Sequence, residues 1–126
     1  MISILPMAGK GSRFKKSGYN LSKPFIPIMG MPMFMAAIKS FPVADKYIII
    51  CLDEFAHKYS FKEVASSQLP NCEIITIHET TEGQACTCLL AEDKFDRNEP
   101  LTISSCDYQI LYDEKKYEEL MNDSSV

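Results

Sequence analysis

Short apolar runs alternate along the chain with stretches whose apolar residues recur at helical spacing. Ile2–Leu5, Tyr47–Leu52, Glu73–Ile77 and Leu101–Ser105 are brief and rich in β-branched side chains, and they read as buried strands. Pro6 is expected to close the first. Pro32 suits the first position of a helix through Met33, Met35, Ala36, Ala37, Ile38 and Phe41, which Pro42 ends. Phe61–Gln68 reads as a short helix stopped by Pro70. Gln84–Phe95 places Ala85, Cys88, Leu89 and Phe95 roughly on one side of a further helix. Asp113–Met121 is a polar, charged helix. Between the first strand and the first helix, Pro6 to Met31 reads as a long loop holding Gly9, Gly11, Gly18 and Gly30, of a length that usually carries function.

Strands alternating with helices predict βαβ units. The expected fold class is α/β, a Rossmann-like three-layer α/β/α arrangement with a mostly parallel sheet covered on both faces. Ligands of such sheets bind beyond the carboxyl ends of the strands. Pro6–Lys23, His78–Gln84 and Cys106–Asp107 fall there.

The 126 residues fit a single domain spanning 1–126. With 46% hydrophobic and 24% charged residues the chain has ordinary globular usage. A net charge of −4 argues against a general nucleic-acid coat protein, which needs a basic surface. The charge is uneven, however. Residues 1–44 carry six basic and no acidic residues, and residues 45–126 carry seven basic and seventeen acidic ones. A local positive field of this kind concentrates anions even on an acidic protein. Pro27, Gly30 and Pro32 interrupt the longest apolar-looking run, Phe25 to Ile38, so no membrane span is expected. No basic segment precedes Ile2–Leu5, so no export signal is expected. The five cysteines form no CxxC pair and read as reduced thiols, which predicts a cytoplasmic location.

The candidate chemistry centres on Ala8-Gly9-Lys10-Gly11-Ser12-Arg13. Glycines let backbone N–H groups turn toward an anion, and Arg13 adds a planar fork suited to phosphate. Lys23, fixed before Pro24, supplies a second charge. The spacing is not that of a P-loop, which needs GxxxxGK[ST]. Phe14 stands where a dinucleotide fingerprint needs its third glycine.

The string from Leu5 to Phe14, LPMAGKGSRF, followed by KPFIPIMGMPM from Lys23 to Met33, resembles the N-terminal signature of the nucleotidyltransferases that make sugar nucleotides and related activated phosphoesters. Its pattern there is roughly LxAGxGxR(F/L), a spacer, then KPLxPxxGxPM. Thr81–Ala85 resembles that family's base-contacting segment. Leu101–Asp107 is similar to its strand ending in a metal-binding aspartate. The run EGQACTCLLA, Glu82–Ala91, resembles the small bacterial cytidylyltransferase-like branch. The family's later acidic ligand and acceptor pocket have no counterpart, so the resemblance implies an N-terminal half only.

The resemblance assigns roles. Met7, Ala8, Gly9, Gly11, Ser12 and Arg13 would hold the triphosphate of an incoming NTP, with Arg13 neutralising the departing pyrophosphate. Lys23 would bridge the α-phosphate and the acceptor phosphate. Gly83 would admit the base and Gln84 or its neighbours would read its edge, with His78 a further base contact. Asp107 would be a ligand of Mg²⁺. The implied partners are an NTP, CTP or another pyrimidine nucleotide, and a small phosphorylated metabolite, with no nucleic acid and no membrane. An incomplete sheet edge would invite self-association. A phosphomonoester is mostly ionised at neutral pH and can attack the α-phosphorus without a protein base.

Plainer readings stand beside these. On position alone Asp107 could cap a turn. Cys86 and Cys88 point to different helix faces and read as packing residues rather than metal ligands. Met29, Met31, Met33 and Met35 read as core filler, and His57 as a surface residue. A nucleotide-binding module without turnover is the alternative to an enzyme.

Overall fold

In a computed structural model describing residues 1–125, Ile2–Met7 (β1) is buried along its whole length. It lies inside a four-stranded sheet with Lys46–Leu52 (β4), Cys72–Ile77 (β5) and Leu101–Ile103 (β6), in the order β5-β4-β1-β6. Every pairing is parallel. Ile2 sits opposite Lys46 and Leu101, and Leu52 opposite Ile77. The mostly parallel α/β architecture expected from the sequence is the one observed.

Side chains alternate across the sheet and so build two cores. Leu5 and Met7 of β1 join Tyr47, Ile49 and Cys51 on one face. Met33–Ile38 (α2), Asp53–Ala56 (α3) and Phe61–Gln68 (α4) cover that face with Phe34, Met35, Phe55 and Phe61. Ile2 and Ile4 join Ile48 and Ile50 on the other face, beneath Cys88 of Gln84–Leu89 (α5) and Ala91.

Pro6 does not end β1. In a parallel strand each residue points its N–H and C=O to one side. Ile2 donates to the Pro100 carbonyl (2.9 Å) and Ile4 accepts from Ser104 N–H (3.0 Å), so even-numbered residues face β6. β6 is paired only as far as Ile4 opposite Ile103, so the missing N–H of Pro6 meets no waiting acceptor.

The loop from Pro6 to Met31 is less irregular than its composition predicts. It contains a five-residue helix, Ser12–Lys16 (α1), a 3₁₀ turn at Lys23–Phe25, and a ribbon of Pro27–Ile28 (β2) with Met31–Pro32 (β3). The helix expected over Gln84–Phe95 ends at Leu89. It tightens into i→i+3 turns from Thr87 to Lys94, which seat Ala91 on the sheet. Met29 is 91% exposed at the tip of the β2–β3 ribbon and is not core filler. Cys86 is exposed rather than packed. Glu114–Met121 (α6) buries no residue, and Asp113 caps it by accepting from Lys116 N–H (3.1 Å). Among the described residues no helix is long and apolar enough to cross a membrane.

Candidate active site

β5 leads through α5 to β6 on the far side of β1, whereas β1 leads through α2 to β4 on the near side. The chain therefore reverses its direction of travel at β1, and a crevice opens beyond the carboxyl ends of β1 and β6. A cavity of about 370 Å³ occupies this crevice.

Met7, Ala8, Gly9, Gly11, Ser12, Arg13, Lys23, Gly83, Gln84 and Asp107 all line it. They come from three chain segments that meet only in the folded molecule. His78 does not join them. Its ring lies beside the Asp53 carboxylate at the ends of β4 and β5, and its side chain is 94% exposed. Thr80 and Thr81 line the cavity in its place.

The phosphate-type loop leaves its backbone donors free. Among the described residues, the N–H groups of Gly9, Lys10, Gly11 and Ser12 donate to no backbone carbonyl. Gly11 has a φ of +59°, and a Cβ there would stand 3.0 Å from Lys23 Cβ. This close approach carries Lys23 across the loop, where its ammonium lies 5.4 Å from the centre of the Phe14 ring. A Cβ on Gly9 or Gly83 would meet nothing within 4 Å, so the space beside each is open.

The opposite wall is held by side-chain hydroxyls and amides. Thr81 Oγ1 and Thr87 Oγ1 are hydrogen-bonded to each other at 2.6 Å, and the Gly83 carbonyl, 2.9 and 3.2 Å from the two oxygens, accepts from the hydroxyl whose proton that bond leaves over. The Gln84 amide donates to the Ser104 carbonyl (3.1 Å) and ties α5 to the end of β6. Thr81 belongs to the polar stretch before Gln84 and Thr87 to α5, and nothing in the sequence marks the two as a clamp.

Asp107 ends the β6 segment and forms an ion pair with Lys23. Its second oxygen, Oδ1, accepts from Ser105 Oγ (2.6 Å). The Lys23 and Ser105 hydrogen bonds together hold the Asp107 carboxyl below the ordinary carboxylate range. Neighbouring Cys106 behaves differently. Burial pushes its thiol up to about 11, so it is protonated at neutral pH and no nucleophile.

Arg13 and Lys23 are the cations lining the cavity, and Asp107 is its carboxylate. Among the described residues no group of three or more His, Cys, Asp or Glu side chains could hold a metal ion. A lone hard carboxylate still fits Mg²⁺, which commonly takes one or two protein carboxylates and completes its shell with phosphate and water.

No family model matches the sequence, and none of the curated proteins does so. Solved structures do match. One is the nucleoside-diphosphate-sugar pyrophosphorylase from Vibrio cholerae RC9, 24% identical, with a TM-score of 0.70 over 93% of this chain and 53% of that one. Another, assigned as a glucose-1-phosphate thymidylyltransferase from Bacillus anthracis and solved with sucrose, is 20% identical, with a TM-score of 0.77 over 98% of this chain and 52% of that one. This chain spans about half the length of each. At these identities the likeness establishes the fold, the α/β sheet on which both of those proteins are built.

Proposed function

We propose that the chain forms the nucleotide-binding half of an Mg²⁺-dependent nucleotidyltransferase. The reaction would transfer a nucleoside monophosphate from an NTP, CTP or another pyrimidine nucleotide, to a small phosphorylated acceptor with release of pyrophosphate. The carrying observation is that Arg13 and Lys23 of the loop after β1 meet Asp107, from beyond β6, at the topological reversal beside free loop amides.

The chemistry asks for positioning and charge neutralisation rather than a protein base. The loop amides from Gly9 to Ser12 would cradle the β- and γ-phosphates. Arg13 would take up charge on the leaving pyrophosphate. Lys23 would hold the α-phosphate and the incoming phosphomonoester close together. Gly83, which lines the cavity and has open space beside it, would admit the base flat against the backbone. Asp107 would hold Mg²⁺, which supplies further shielding of the phosphate oxygens.

A thermal-shift panel with CTP, UTP, dTTP, ATP and GTP, each with and without Mg²⁺, tests donor binding, because a ligand of the folded state raises its melting temperature. A shift confined to a pyrimidine nucleotide is expected. In a pyrophosphate-release assay Arg13→Ala and Lys23→Ala should each lose at least about a hundredfold in rate, and Asp107→Ala should lose its Mg²⁺ dependence. Full turnover in all three variants would sink the proposal. The second reading, a binding module without turnover, is favoured by the single carboxylate in the cavity. Nucleotide affinity without pyrophosphate release would select it.

A further inference from the structure

The two side chains proposed to receive opposite ligands hold each other. Lys23 Nζ is paired with Asp107 Oδ2, and Asp107 Oδ1 is occupied by the Ser105 hydroxyl at 2.6 Å. Both carboxylate oxygens are therefore taken. The pair joins two residues of the cavity lining that are far apart in sequence, with the Lys23 side chain 20% and the Asp107 side chain 40% exposed. Among the lining residues Arg13 is then the cation without a carboxylate partner.

We propose that the Lys23–Asp107 pair is a latch that an oligophosphate and a divalent cation open jointly, so that the cavity selects a cation-chelated oligophosphate over either ion alone. This rests on the reading of Lys23 and Asp107 as phosphate and cation ligands. A free anion drawing Lys23 away strands the Asp107 carboxylate beside incoming negative charge. A free cation drawing Asp107 away strands the Lys23 ammonium. Each half-step breaks a partly desolvated pair without replacing it. When both arrive, one ion pair is exchanged for two and no charge is left without a partner. The two affinities are then linked, and the linkage is reciprocal.

The test is the binding of inorganic triphosphate to the full chain, by calorimetry in EDTA and in excess Mg²⁺. It compares the wild type with Asp107→Asn, Lys23→Met and the double variant, each with a cooperative melt. Asp107→Ala takes the place of Asp107→Asn in the same cycle if the latter does not fold. In EDTA, Asp107→Asn should bind triphosphate at least about tenfold more tightly than wild type and lose most of the gain from Mg²⁺. In the Lys23→Met background the same substitution should gain less than about twofold, because the latch is already absent. An equal gain in both backgrounds would mean simple repulsion by a carboxylate and would overturn the latch alone, as would no gain in either. If the wild type binds no triphosphate in EDTA or in Mg²⁺, the phosphate reading of the cavity falls and the latch with it.

Discussion

Gly11 meets two demands at one position. Its backbone adopts the left-handed conformation, and its missing Cβ leaves room for the Lys23 stem 3.0 Å away. Gly11→Ala is therefore expected to displace Lys23 rather than merely stiffen the loop. Triphosphate affinity should fall about tenfold or more while the melting temperature drops only modestly, since strain of this kind costs on the order of 1–3 kcal/mol. Calorimetry on the variant beside its melting curve checks this, and undiminished affinity would refute it. At this scale the sequence was legible where contiguous residues act together. Met7, Ala8, Gly9, Gly11, Ser12, Arg13 and Lys23 all line one cavity. His78 does not, because β5 ends just before it and its ring turns to Asp53, the first residue of α3. Ser105 passed unnoticed because a serine two residues from an aspartate is common, and only the folded turn brings its hydroxyl onto Asp107.

At the scale of elements, one aromatic cluster ties the signature loop to the helical layer. Phe25, from the turn after Lys23, packs edge-on against Phe34, Phe55 and Phe61, with ring centres 5.7–5.9 Å apart. Phe61 opens α4, is 1% exposed, and also meets Phe34 at 5.3 Å. Phe61→Ala is expected to cost about 3–5 kcal/mol, the range for emptying a buried aromatic site. Urea denaturation gives this number directly, and a loss under about 1 kcal/mol would mean that the cluster contributes little. The strands and α4 were readable because apolar runs and bounding prolines mark them. The short α1 and α3 were not, since four or five residues show too little periodicity. Beyond the shortened α5, Ala91 is buried in one cluster with Ile4 and Ile48 of the sheet.

The whole molecule separates its two ends. The cavity lies beyond the carboxyl ends of the strands, whereas at the amino ends Glu73 binds Lys46 (3.1 Å) and Lys94 (3.2 Å), and Lys46 reaches the Lys94 carbonyl (2.9 Å). These contacts, Lys46 first, hold the Glu73 carboxyl below its ordinary range. Its contribution to stability is therefore complete above the unfolded value of about 4.3 and is lost as pH falls through the lower folded value. The difference in melting temperature between wild type and Glu73→Gln should accordingly be present at neutral pH and close in acid, with triphosphate affinity unchanged throughout. A gap that widens in acid would contradict it. The sheet order was beyond reach of the sequence, because strand runs declare their existence but not their neighbours. That order also has a consequence for synthesis. β1 pairs with β4, and its other edge is filled only by β6, with Ile2 opposite Leu101. At a translation rate of about 5–20 residues per second, an apolar strand made early waits on the order of 5–20 s for its last partner. The segment that organises the finished protein is thus its stickiest part while nascent, and conditions that slow elongation or deplete holding chaperones should lower the yield of soluble chain before they alter any property of the folded one.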